Sequence, residues 1–197
     1  MSYLLVDTGQ GLTLGLADKK WKWKEFVRTQ TTKNSNILYA KINDILTKEG
    51  IAPQELSGLI IGSGPGSYTG VRLSEGLAQV WEWAGVETYS YYHFELPYLC
   101  NHSSGLWYSK AFKGEMFCHH WEGEKVEQKL VTEDEFYQLA NTSTLFTLEF
   151  DSEDIVSTVD LLEKQPDVLL PKIWERKKRL GPFYYRTPEK EFRPSMK

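Results

Sequence analysis

Residues 62–72 read GSGPGSYTGVR and residues 7–9 read DTG. These are the two stretches whose residue types and spacing can do chemistry. Gly64 and Gly66 reach backbone angles closed to other residues, and Pro65 between them fixes its own φ. Ser67 stands at the N-cap of an expected helix, whose free N–H groups and partial positive charge can hold an anion, with Arg72 adding a full charge. The stretch lacks the lysine of a P-loop and misses the third glycine of GxGxxG. Gly64, Gly66, Ser67 and Arg72 therefore mark a phosphate cradle or a sharp strand-to-helix turn. Asp7 and Thr8 close an apolar run. An acidic residue there can orient magnesium through water while turn amides face phosphate; a plain hairpin turn favours Asp and Gly too.

The rest of the chain offers little for catalysis. Of His93, His102, His119 and His120, the adjacent pair points to opposite faces of a strand and is expected at the surface. No Ser/His/Asp grouping follows from order or spacing. Cys100 and Cys118 form no CxxC pair, and two thiols fit a reducing compartment. No metal and no cofactor is expected. The opening MSYLLVDTGQ has no basic leader, and no apolar stretch is long enough to cross a bilayer, so a cytoplasmic protein without membrane contact is expected. With 23 Lys+Arg against 27 Asp+Glu, the net charge of −4 argues against a dedicated nucleic-acid binder.

The elements that must position these residues are legible. Residues 3–6 and 12–16 read as strands around the Asp7 turn, and the charge–aromatic alternation of residues 20–24 suggests a third. Leu38, Ile42, Ile45 and Leu46 repeat with helical period over 34–49, ending at Gly50. Residues 59–62 form a doubly buried strand. A second long helix follows Ser67, and residues 86–92 make another strand. Beyond residue 100, a hairpin is expected over 106–112 and 116–121, strands over 126–131 and 145–150, a capping box at Thr132, and helices over 155–162 and 173–180. No internal repeat is visible. The order strand, strand, strand, helix, strand, helix, strand is that of the ribonuclease H-like, actin-like ATPase fold: a mixed sheet with helices. It divides the chain into an N-terminal subdomain of residues 1–100 and an abbreviated C-terminal one of 101–197.

On the second long helix Gly70, Ser74 and Ala78 form a small-residue stripe, and Leu73, Leu77, Val80, Trp81 and Ala84 an apolar ridge. A helix apolar or small around most of its girth wants two neighbours: its own sheet and either the first helix or a second chain.

The block from Gly64 to Arg72, with Gly76, Ala78 and Gln79 downstream, resembles the glycine-rich block of the bacterial TsaB (YeaZ-type) family, which usually has Phe where Tyr68 stands. Leu4 to Thr8 resembles the family's first strand and turn, residues 34–46 its first long helix, and Pro182 to Arg186 its closing Pro-x-Tyr-x-Arg. Lys110-Ala111-Phe112 replaces the family's Asp-Ala-Arg, Asn34 a common His, and Ser74-Glu75 a glycine and an aliphatic. The resemblance implies a non-catalytic subunit that pairs with TsaD for threonylcarbamoylation of adenosine 37 in tRNA. The ATPase TsaE docks at the pair, tRNA is reached only through the complex, and a homodimer can use the same helices. The helices then supply the partner surface: Asn34, Ile37, Leu38, Lys41 and Ile45 on the first, Gly70, Leu73, Ser74, Leu77, Ala78 and Trp81 on the second. The alternative is a small ATPase or phosphotransferase of the same fold, acting alone through Asp7, Thr8 and the glycine turn.

Overall fold

The computed structural model describes residues 1–30, 34–111, 114–148 and 155–185. The Asn34 side chain, Phe112, Lys113, the end of the strand expected at 145–150, and Arg186 lie outside the described residues.

Strands β1 (Ser2–Asp7), β2 (Leu12–Asp18) and β3 (Trp23–Thr29) form an antiparallel meander. Helix α1 (Asn34–Lys48) leads to β4 (Gly58–Gly62), and α2 (Tyr68–Trp83) leads to β5 (Thr88–Tyr91). The sheet runs β3-β2-β1-β4-β5, with β4 parallel to both β1 and β5. This is the ribonuclease H-like, actin-like order read from the sequence. A second five-stranded sheet holds β6 (Ser104–Lys110), β7 (Met116–Glu122), β8 (Lys125–Val131), β9 (Leu145–Thr147) and β10 (Ile155–Ser157). The described residues also hold the short helices α3 (Leu96–Leu99), α4 (Glu133–Ala140), α5 (Thr158–Lys164) and α6 (Pro166–Glu175).

Strand periodicity divides the core. Leu4, Val6, Leu59 and Ile61 face α1 and α2, meeting Leu38, Ile42, Ile45 and Leu77. Leu5 and Ile60, on the alternate positions, face the other way into a core shared with Trp107, Phe117, Trp121 and Phe146 of the second sheet and Leu162, Leu169 and Ile173 of α5 and α6. Both faces of the inner strands β1 and β4 are thus buried, which is why β4 reads as an unbroken apolar run.

Three expectations shift. Residues 20–22 form the β2–β3 turn, not a strand: Asp18 Oδ1 accepts from the Lys20 and Lys22 amides at 2.8 and 3.0 Å, and Trp21 has a positive φ of 61°. The alternation misleads because Trp21 stacks on Tyr3 at 4.2 Å while Trp23 reaches over to donate to the Leu162 carbonyl. Residues 155–157 are a strand before the α5 helix. The helix expected at 173–180 instead begins at Pro166, whose fixed φ suits a first helical turn, and ends before Lys177 at φ 49°.

Beyond α6 the chain runs as a strap over the first sheet. Lys178 O accepts from Ser90 N at 2.9 Å, Gly181 O from Tyr92 Oη at 2.9 Å, and Phe183 N donates to Ser63 O at 2.8 Å. Phe183 then packs against Phe94 and Phe117, and Tyr185 Oη meets Ser109 Oγ on the second sheet.

Candidate functional site

Asp7 ends β1 and Gly62 to Ser67 joins β4 to α2, so parallel pairing brings the two chemical stretches side by side. Ser67 caps α2, accepting from Gly70 N at 3.1 Å as its sequence position predicts. The turns are pressed together. Ser67 N donates to Gly9 O at 2.7 Å, a Cβ on Gly66 would lie 2.6 Å from Gly9 Cα, and one on Gly70 would collide with the Thr8 carbonyl. These two glycines are required by backbone meeting backbone, not by a ligand.

The expected phosphate-site residues are correspondingly engaged within the chain. Thr8, fully buried, donates to the Gly70 carbonyl at 2.6 Å; its one proton so used, it accepts from Ser74 Oγ at 2.5 Å. Arg72 turns outward onto Tyr68, bonding its hydroxyl at 2.8 Å and sitting 5.0 Å from the ring centroid. Gly64 lies under the strap: a Cβ there would be 3.1 Å from Phe183 O.

Asp7 is only 3% exposed and sits at the head of a hydrogen-bonded chain. Its Oδ1 accepts from Gly9 N at 2.8 Å; its Oδ2 accepts from Tyr91 Oη at 2.8 Å and meets His93 Nε2 at 2.6 Å. His93 Nδ1 lies 3.0 Å from Thr158 Oγ1, which donates to the Thr147 carbonyl at 3.2 Å. Both ring nitrogens thus lie within hydrogen-bond distance of a partner, Nε2 on the Asp7 carboxylate and Nδ1 on the Thr158 hydroxyl. Burial pushes the Asp7 carboxyl up, but His93 and the Gly9 and Tyr91 donors outweigh it and hold the carboxyl below its ordinary value. Burial and the Asp7 charge together push the Tyr91 phenol well up.

Asp7, His93 and Thr158 have the connectivity of an acid–base–hydroxyl triad. His93 and Thr158 are fully buried and the hydroxyl proton is given to a carbonyl, so no substrate atom can reach it. The chain ties β1 of the first sheet to α5 and to β9 of the second sheet. It was invisible in the sequence because His93 and Thr158 stand far from Asp7 and in no motif. The only available signal was that a histidine closely follows β5, whose carboxyl end faces the same crevice as that of β1.

His119 and His120 do point to opposite faces, but His119 is buried at 8% exposure, stacked on Phe94 at 4.5 Å, and not at the surface. Among the described residues no group of three or more His, Cys, Asp or Glu is arranged to hold a metal ion. Among them, too, no helix is long and apolar enough to cross a membrane.

The helix residues expected to meet another chain divide sharply. Leu38, Ile45, Gly70, Ser74, Leu77 and Ala78 are buried in the chain's own core. The small stripe receives β1 and its turn, and so is not available to a second protein. Ile37, Lys41, Leu73 and Trp81 are half-buried at the margins. The outward faces instead carry Tyr39, 58% exposed on α1, and Val80 and Trp83, 55% and 91% exposed on α2. Gly76 lies on that outer face of α2, with nothing within 4 Å of where a Cβ would be.

No family profile matches the chain. Over 94 residues it is 33% identical to the tRNA threonylcarbamoyladenosine biosynthesis protein TsaB of Bacillus subtilis (strain 168), covering 43% of this chain and 37% of that protein. The match thus spans little more than a third of the relative's length. Among solved structures, YeaZ from Pseudomonas aeruginosa superposes with a TM-score of 0.65 at 14% identity, over 93% of this chain and 99% of that one. A Pseudomonas aeruginosa protein described as similar to peptidase YEAZ gives 0.65 at 16% identity, over 94% and 99%. The partial sequence match and the shared fold together support a TsaB/YeaZ-type family for this chain.

Proposed function

We propose that the chain is a non-catalytic subunit in the threonylcarbamoylation of adenosine 37 of tRNA, acting in the cytoplasm beside a TsaD-type catalytic subunit. The observation that carries this reading is the outward side of the two long helices, with Tyr39 exposed on α1 and Val80 and Trp83 exposed on the same face of α2 as Gly76. Large apolar groups left in water on the outward side of helices mark an interaction surface. A glycine inside an exposed helix costs about 1 kcal/mol relative to alanine. Among the described residues nothing lies within 4 Å of where a Cβ would sit, so Gly76 leaves room for a second helix to pack close. The tightly engaged Asp7 and Thr8 support a role without nucleotide turnover. The name of the Bacillus subtilis relative supports the tRNA pathway.

In this reading a TsaE-type ATPase joins the assembled pair, and tRNA is handled through the partner. The same outer face serves a homodimer when the partner is absent. The test has two parts. Depleting the protein should remove threonylcarbamoyl from adenosine 37, read by mass analysis of tRNA nucleosides. The variants Val80→Glu and Trp83→Ala should fold normally but no longer co-purify with the TsaD-type subunit. Intact modification after depletion overturns the pathway, and unchanged co-purification overturns the surface.

A further inference from the structure

A cavity of about 530 Å³ opens where the turn between β7 and β8 faces α3 and the residues after α6. None of its lining residues belongs to the Asp7 or glycine turns, nor to the outer faces of α1 and α2. Its size falls in the range of small-molecule sites. Phe94, His119 and Trp121 make its deep wall, at 5%, 8% and 1% exposure. Tyr98 and Val126 make its rim and are 56% and 59% exposed, so the fold leaves two large apolar side chains uncovered on the lip of an aromatic cavity.

The polar groups are few and their pairing is asymmetric. Gln128 Nε2 donates to His119 Nδ1 at 2.8 Å, which places the ring's proton on Nε2. That N–H has no protein partner among the described residues. Burial holds the His119 ring neutral, pushing its pKa down to about 4. Glu95 is committed: Oε1 takes Arg176 Nη2 at 2.5 Å and Oε2 takes Tyr92 N at 3.0 Å. The Lys178 side chain has no ionic partner among the described residues. The carboxylate of Glu124 sits on the exposed turn beside Gly123.

We propose that this cavity binds a planar aromatic monocarboxylate. The ring lies against Phe94, His119 and Trp121 and is covered by Tyr98 and Val126. His119 Nε2–H donates to one carboxylate oxygen and Lys178 faces the other. One unpaired cation and one neutral donor match the two oxygens of a carboxylate. A phosphate dianion would bring more charge than Lys178 balances, with Glu95 and Glu124 close by.

The test uses the full chain, independently of any partner protein. Titration with 2-naphthoate, followed by calorimetry and amide NMR, should saturate, with shifts confined to the segments 94–99, 119–126 and 176–178. Val126→Trp, filling the mouth from an exposed position, should lower affinity at least tenfold, and Lys178→Glu at least fivefold, with unchanged melting temperature in both. The cationic counterpart 2-naphthylmethylammonium should bind at least fivefold more weakly. Four outcomes overturn the assignment: no saturation up to millimolar probe, shifts centred elsewhere, no response to either variant, or a cation that binds as well as the acid.

Discussion

The two sheets have the same strand order. β8-β7-β6-β9-β10 repeats β3-β2-β1-β4-β5 strand for strand: an antiparallel meander followed by two parallel additions on the far side of its first strand. What differs is what joins the strands. In the first sheet, α1 of 15 residues and α2 of 16 bridge the parallel strands. In the second, α4 of 8 residues stands in the place of α1, and β10 follows β9 closely with only residues 148–154 between them. The turn of the first meander carries Asp7; the corresponding turn of the second begins at Lys110. The same strand order therefore carries long helices in the first sheet and only a short one in the second. The space between the sheets is filled by aromatic side chains and a buried Asp7–His93–Thr158 chain. The interior between the two sheets is closed around that chain, while the outward sides of α1 and α2 leave Tyr39, Val80 and Trp83 in water.

The sharpest way to break that comparison is Asp7→Ala. If the carboxylate is structural, its loss strands His93 and Tyr91 in a dry site and costs about 3–5 kcal/mol in chemical denaturation. Measurable nucleotide hydrolysis by the parent chain, abolished by this change at unaltered stability, would instead make the cleft an active one. Next comes pH. The folded value of about 4 for His119 lies below the 6.5 of the unfolded side chain, so the unfolded state takes up the proton first. Its contribution is complete above pH 6.5 and drains away as pH falls toward 4, by up to about 3 kcal/mol. Urea melts across that window should show the slope, and His119→Phe should flatten it. Asp7, with its depressed value, adds a further loss only at lower pH, as its carboxylate protonates.

Ser74→Leu separates the inner face of α2 from the outer. It forces a larger group against Thr8 and should destabilise by about 1–3 kcal/mol. Gly76→Ala, on the outer face, should do the reverse in isolation, adding up to about 1 kcal/mol to thermal stability while weakening co-purification with the partner. A gain in stability with full assembly would mean that the outer face needs no close approach there.

The first half was legible because its signals are local. Alternating leucines, a helical period and the Ser67 cap each act within a few residues, and β1, β2, β4, α1 and α2 follow from them. Which side of α2 faces inward was not legible. The small stripe of Gly70, Ser74 and Ala78 and the outer Val80 and Trp83 differ in destination only because the β1 turn, some sixty residues earlier in the chain, arrives against the stripe (|i−j| of 66 for Thr8 with Ser74). The repeated sheet order was hidden for a related reason: backbone pairing tolerates different side chains, so a strand order can recur without a repeat in the sequence. His93 escaped notice because its partners come from β1 and α5, and spacing cannot signal a contact closed by tertiary structure.

The strap has a consequence for biosynthesis. Residues 178–185 follow in chain order everything they clasp: Ser90, Tyr92, Ser63, Phe117 and Ser109. During translation both sheets emerge before the segment that fastens them, so the aromatic seam around Phe94 and Phe117 stays uncovered until late.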